Sequence, residues 1–117
     1  MVTIELNTWE RVELSEFIYR ECKAVLYELP LFIQARDILV LNDQERKQVG
    51  FRVDNESNSV VWDDAERVFV VSFPTVVFVT LAGKLLKFEG WPPDTRIESM
   101  LEKVRAAYVQ IIAAARP

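Results

Sequence analysis

The sequence predicts an α/β fold in which a mixed β-sheet is covered by helices. The chain has 117 residues, which is the length of one domain, and half of them are hydrophobic, so a single core can be buried. Runs typical of strands alternate with amphipathic runs typical of helices, in the order βαβαβαββα. We therefore expect residues 1–117 to form a single domain without repeats or linkers.

The first elements are predicted from their apolar spacing. Residues 2–6 alternate apolar with polar side chains, the pattern of a half-buried strand. Residues 8–22 place apolar side chains at helical spacing and predict the first helix. The apolar run 23–29 predicts a buried second strand that ends at Pro30, because proline cannot donate to a strand ladder.

The middle of the chain is more ambiguous. Residues 38–41 alone resemble a strand, but they also belong to a helical stripe, so residues 31–48 are predicted to be a helix with Pro30 in its first turn. Residues 49–53 then predict a strand. After a polar break, residues 60–68 fit a short third helix.

The last elements have clearer patterns. Two apolar runs, residues 75–81 and 84–89, flank Ala82-Gly83 and predict an antiparallel hairpin. Thr95 and Glu98 have the spacing of a capping box, and the apolar residues that follow repeat at three and four positions. A long final helix is therefore expected.

Composition excludes several classes of function. Lys and Arg total 14 against 18 Asp and Glu, so the net charge of −4 opposes binding to nucleic acid. The chain has no His and one Cys, which excludes Ser-His-Asp and Cys-His nucleophile pairs, His-ligated zinc and an internal disulfide. We expect no catalytic residue, metal or cofactor. The acidic residues after Asp54 lack calcium-loop spacing, because the required glycine position holds Ser59.

No segment predicts a membrane association. The longest apolar stretch is interrupted at Pro74 and is too short to span a bilayer as a helix. The first ten residues contain Glu5 and Glu10 and have no unbroken apolar run, so no export signal is predicted. We expect an acidic cytoplasmic protein with no membrane partner.

The predicted element order, together with residues 50–100, resembles the thioredoxin-like fold superfamily. Phe73-Pro74-Thr75 stands where family members carry a cis-proline and a threonine beside the active site, and Gly90 stands where a glycine follows the family's hairpin. The resemblance implies a three-layer α/β/α sandwich with a mixed central sheet. It also implies a cis peptide bond before Pro74.

The chain departs from this family at the redox motif. Active members carry Cys-x-x-Cys where the second strand gives way to its helix, but residues 29–33 here read Leu-Pro-Leu-Phe-Ile. Cys22 lies at the opposite end of the predicted strand, roughly 20 Å away for six residues. The resemblance is therefore to a member that is redox-inactive and binds rather than catalyses.

The same resemblance brings three apolar segments around one shallow groove. In thioredoxin-like proteins the residue before the cis-proline pairs its backbone with an extended peptide. The expected function is thus to hold an extended peptide or partner protein, as a chaperone or assembly factor does. The predicted binding residues are Leu31, Phe32, Phe73, Pro74, Gly90 and Trp91. For any one of them, ordinary core packing is the competing interpretation.

Two further functions remain open. A monothiol redox or glutathione-linked protein would act through Cys22, although a free cysteine on an apolar helix stripe is more often part of the core. A homo-oligomer, or a subunit of a larger complex, would use the end of the final helix, where Tyr108, Ile111 and Ile112 extend the apolar stripe.

Overall fold

The structure, a computed structural model, describes residues 1–21 and 28–115. Its mixed α/β class is the one predicted, and the order of the described elements is βαααβββαα. The elements are β1 (Val2–Asn7), α1 (Thr8–Glu21), α2 (Leu29–Leu39), α3 (Asp43–Val49), β2 (Phe51–Asp54), β3 (Ser59–Trp62), β4 (Val68–Phe73), α4 (Thr75–Lys87) and α5 (Thr95–Ala115).

The described strands form two separate two-stranded antiparallel sheets, β1 with β4 and β2 with β3. In the first sheet Val2 lies opposite Phe73 and Ile4 opposite Val71, and these side chains face the core together with Leu6. The alternate side chains of both strands face solvent, as the period of two requires. This sheet is therefore covered by helices on one face only.

The helices α1, α2, α4 and α5 enclose the core on that face. Helix α2 packs against α1 and α4, and α5 packs against α4 and β1. Since apolar residues recur at helical spacing in each of these helices, their buried faces meet. The largest fully buried apolar side chains are Leu6, Leu14, Phe17, Ile18, Leu39, Phe73, Val77, Phe78, Leu85 and Met100.

The first turn of α1 is tied to α5. The Asn7 side chain accepts the backbone N–H of Glu10, and the Glu10 carboxylate accepts the N–H of Asn7, which is the reciprocal pattern of a capping box. Glu10 is buried, and its carboxylate also accepts a bond of 2.9 Å from the Lys103 ammonium group. A buried carboxylate is thus both hydrogen-bonded and paired, as its burial requires.

The next residue, Arg11, ties α1 to α2 and α3. Its buried guanidinium donates to the carbonyl oxygens of residues 38–40 at the end of α2, and to the Glu45 carboxylate at 2.6 Å. Glu45 closes a second capping box with Asn42 at the start of α3. Partial burial raises the pKa of Glu45, but the bonds from Arg11 and the Asn42 N–H, with the Arg11 charge, outweigh it, so the pKa lies below its ordinary value.

The segment predicted as a hairpin at residues 75–89 is instead the helix α4. Its buried positions follow helical spacing: Val77, Phe78, Leu81, Ala82 and Leu85. A short apolar run rich in β-branched residues fits either a strand or a helix. Here the apolar residues lie along one face of a helix, which favours the helix. The predicted mixed central sheet does not form from the described strands, because these residues supply no strand to it.

Two further segments differ from the predictions. The predicted helix 31–48 is divided into α2 and α3 by an extended Val40 at the end of α2 and the cap Asn42 before α3. The predicted helix 60–68 is β3 and the connection to β4. The cross-strand pairing of β3 with β2 explains this difference, because a partner strand satisfies its backbone groups.

The predicted types of element are confirmed at both ends of the chain. The first strand and first helix are confirmed, and so is the long final helix. Its cap is Asp94, whose side chain accepts the N–H of Arg96, rather than the predicted Thr95. The predicted second strand, at residues 23–29, lies almost wholly outside the described residues, and Leu29 is the first residue of α2.

Candidate functional site

The β2–β3 hairpin presents one apolar face to solvent. Phe51 lies opposite Trp62 and Val53 opposite Val60, and cross-strand partners point to the same side of an antiparallel pair. We call these four side chains the hairpin face. Phe51, Val53 and Val60 are 53%, 52% and 51% exposed, and the Phe51 and Trp62 ring centroids are 5.8 Å apart. Large apolar side chains are seldom grouped in this way without a function.

The hairpin packs mainly on itself. Within the described part of the chain, β2 and β3 make few contacts with other elements. Its tip is ordered locally, since the Asp54 carboxylate accepts the N–H of Glu56 and the hydroxyl of Ser57, and Asn58 adopts a left-handed φ of 54°. These bonds hold the pKa of Asp54 below its ordinary value. A lone two-stranded hairpin is only marginally stable in water, so this element gains from a partner.

The base of the hairpin is attached to the body by backbone hydrogen bonds. The N–H groups of residues 63–64 donate to the carbonyl oxygens of residues 49–50, which continues the pairing below β2 and β3. The N–H groups of Thr8 and Trp9, which begin α1 and have no partner inside that helix, donate to carbonyl oxygens within residues 65–67. The start of α1 therefore fixes the position of the hairpin.

A cavity of about 350 Å³ lies at this base, between α1, the end of α2, α3 and Trp62. This volume is within the range of small-ligand sites. Trp62 belongs both to the cavity and to the hairpin face, so the two form one continuous surface. The lining comprises Val12, Leu39, Val40 and Leu41, the aromatic Tyr19 and Trp62, and the polar Ser15, Glu16, Arg36 and Arg46.

Two exposed arginines give the cavity a cationic rim. The guanidinium of Arg36 lies over the ring of Tyr19, 5.0 Å from its centroid. Arg46 projects from α3 and also lines a depression beside Phe51, together with Lys47 and the carboxylate of Asp43. Among the ion pairs of the described residues, neither arginine has a carboxylate partner. The rim therefore has hydrogen-bond donors available for an anion.

The residues predicted to bind a peptide lie elsewhere, and several belong to the core. Phe32 and Phe73 are 3% and 1% exposed, and Leu31 packs against the same core. The peptide bond before Pro74 is trans, unlike the predicted cis bond, and Pro74 is extended as the N-cap of α4. A proline suits this place, because the start of a helix leaves its N–H groups without internal partners.

Gly90 and Trp91 lie at the other end of α4. Trp91 stacks on Phe17 with ring centroids 5.1 Å apart and donates its indole N–H to the Leu85 carbonyl oxygen. Both residues line a small cavity of about 150 Å³. Ten residues of helix separate Thr75 from Leu85, roughly 15 Å. The structure therefore brings Gly90 and Trp91 together but does not join them to the segment around Phe73 and Pro74.

The hairpin face was missed although the sequence carries a signal for it. Residues 51–54 and 59–62 flank a polar tetrapeptide, which is typical of a hairpin. The second run also fits a helix, because Ala65 and Val68 extend its helical spacing. Arg36 and Arg46 gave no signal, since a charged residue on an exposed helix face is usually only solvated.

The other candidate groups supply no further site among the residues that the structure describes. Cys22 lies outside the described residues. Asp63, one of the acidic residues considered for a cation, lies 3.8 Å from Arg52. Over residues 1–21 and 28–115, no group of three or more His, Cys, Asp or Glu side chains is placed to hold a metal ion. The helices in these ranges are also too short or too polar to cross a membrane.

Comparisons of the chain with protein-family models, with curated proteins and with solved structures find no match. The candidate site therefore consists of the hairpin face and the adjoining cavity, identified by exposure, shape and charge. It has apolar surface, strand edges and cations, which are the groups that recognise a polypeptide.

Proposed function

We propose that this chain is a protein-interaction domain that holds an extended segment of a partner protein against the β2–β3 hairpin. The observation that carries the proposal is the exposure of Phe51, Val53 and Val60 on an element that few other contacts cover. A chaperone or assembly factor is the concrete form of this role. Binding requires none of the thiol chemistry for which the chain lacks residues.

Strand addition is the mode that fits the hairpin. Neither β2 nor β3 has a second neighbour among the described strands, so the outer edge of each carries unpaired backbone N–H and C=O groups. An added strand would satisfy those groups, and every second side chain of that strand would fall on the side of the hairpin face. The partner segment is thus expected to alternate apolar with polar residues.

Covering the apolar side chains of the hairpin face contributes substantially to the free energy of binding. Full burial of a Val or Phe side chain contributes about 1.5 to 3 kcal/mol, and three of these side chains are half exposed, so covering them contributes about 1 kcal/mol each. Backbone hydrogen bonds along the edge of the hairpin then fix the register of the added strand. Arg46 and Lys47 lie beside Phe51 with the single carboxylate of Asp43, and this excess of positive charge favours a segment that carries acidic residues.

The proposal keeps the binding role that the thioredoxin-like resemblance implies and moves its location. The predicted groove around Phe73 and Trp91 is replaced by the hairpin face, and no cis-proline is required. A thioredoxin-like sandwich stays a prediction on which the proposed function does not depend.

A peptide-display selection tests the proposal. Random peptides are selected on the wild-type protein and then measured against the double variant Val53→Thr, Val60→Thr, which keeps β-branched side chains but adds hydroxyl groups to the hairpin face. The matched control is Val68→Thr, Val70→Thr, on the exposed face of β4. We expect the selected peptides to bind the hairpin variant about ten-fold more weakly and the control as tightly as wild type.

Circular dichroism must show both variants folded. Equal affinities for the hairpin variant and wild type would place the binding surface elsewhere. Failure to enrich any peptide would also count against the proposed function.

A further inference from the structure

We infer that the cavity at the base of the hairpin binds the C-terminal carboxylate of the partner segment, with the last, apolar side chain on the cavity floor. This inference rests on the proposed function, because it makes the cavity the place where the extended segment ends. It assigns a chemical class of ligand to Arg36 and Arg46.

The cavity combines two surfaces that one chemical group rarely satisfies. Its floor is apolar, since Val12, Leu39 and Leu41 line it, and its rim carries the guanidinium groups of Arg36 and Arg46. An apolar side chain alone would leave the cations unused, while an acidic side chain alone would leave the floor in contact with water. An apolar residue at a chain end carries both an apolar side chain and a carboxylate.

The geometry of Arg36 suits a carboxylate. The guanidinium carbon of Arg36 lies over the Tyr19 ring, 5.0 Å from its centroid, and a guanidinium carries its N–H donors at its edge. Edge donors bind the two oxygens of a carboxylate side by side. Arg46 approaches the same cavity from α3, so the anion would be held by cations from two different helices.

The position of the cavity also favours a chain end. Trp62 belongs to both the cavity lining and the hairpin face, so a segment that pairs with the hairpin at Trp62 lies next to the cavity. Residues of α1, of α3 and of the end of α2 supply the rest of the cavity lining. A segment that stops at this point fits without having to pass the body of the protein.

One group in the cavity opposes an anion. Glu16 is exposed and is the only carboxylate among the described residues that line the cavity. Its negative charge weakens the attraction of the two arginines without cancelling it. Glu16→Gln is therefore expected to increase affinity for a carboxylate, which is a result that a purely apolar cavity would not give.

The test uses two defined probes, N-acetyl-valyl-leucine with a free carboxylate and the same dipeptide as its C-terminal amide. Binding is followed by the chemical shifts of the Trp62 indole and the Arg36 and Arg46 side-chain N–H groups. We expect the acid to bind about ten-fold more tightly than the amide, with a difference that narrows as salt is added.

Variants of the two arginines give the matched comparison. Arg36→Gln and Arg46→Gln are each expected to weaken binding of the acid about ten-fold and to leave the amide unchanged. Arg105→Gln, an exposed arginine on α5, is the control and should change neither. Glu16→Gln should tighten binding of the acid alone.

The outcomes separate this inference from the proposed function. Equal binding of acid and amide overturns the carboxylate assignment, as does binding of neither probe or a set of shifts remote from Trp62. In those cases peptides from the display selection that still require Val53 and Val60 leave the proposed function intact. If the acid binds at the cavity while the hairpin variant binds selected peptides normally, the proposed function fails and the carboxylate site stands.

Discussion

The substitution Gly83→Ala tests whether residues 75–87 form the helix α4 or the hairpin that their local sequence predicts. Gly83 lies inside α4, and a Cβ atom built on it meets no other atom within 4 Å. Glycine in a helix interior costs about 1 kcal/mol relative to alanine, so the free energy of unfolding should rise by about 1 kcal/mol. For 117 residues at about 2.1 cal/mol/K each, this raises Tm by about 4 °C.

Thermal and urea unfolding, followed by circular dichroism, measure this change. Gly50→Ala is the control, because Gly50 has a φ of 68° and its added Cβ would come within 2.8 Å of an Asp63 carboxylate oxygen. It should lose about 1 kcal/mol or more. If Gly83 were a turn glycine with positive φ, alanine would strain it too, so a fall in Tm for Gly83→Ala would refute the helical assignment.

Two predictions concern the interaction between Arg11 and Glu45. Arg11→Met leaves the Glu45 carboxylate and the carbonyl oxygens of residues 38–40 without their donor, so urea unfolding should show a loss of about 3 kcal/mol with an unchanged fold by circular dichroism. Because the folded pKa of Glu45 is lowered, its contribution to stability is complete above the ordinary value of 4.5 and is lost as pH falls through the lowered value. Unfolding free energies measured from pH 7 to pH 3 should fall less steeply at the acid end for Glu45→Gln than for wild type; identical slopes would show that this pair does not contribute.

The first strand and the last helix could be predicted from sequence, because the apolar residues of each recur at a single clear spacing. The alternation in Val2–Asn7 and the repeat in Thr95–Ala115 each fit a single type of element. The runs in α4 and β3 fit both types. For these, the deciding factor is which surface each run meets in three dimensions, and that is not contained in the local pattern.

The candidate site was less predictable than the fold. The thioredoxin-like resemblance groups Phe73 with Trp91 around one groove, but the helix α4 between them sets the two residues at opposite ends of one element. Arg36 and Arg46 belong to separate helices. Their convergence depends on the break at residues 40–42, where the apolar spacing predicts a continuous helix.

The adjacent residues Glu10 and Arg11 connect segments that are distant along the chain. Glu10 holds Lys103, 93 positions away, and Arg11 holds Glu45, 34 positions away. Since α3 leads directly into β2, the first turn of α1 orients the β2–β3 hairpin through the bonds that Arg11 makes to α2 and α3. Substitutions in that turn are expected to change the orientation of the hairpin while the core stays folded. They should therefore weaken partner binding without unfolding the protein.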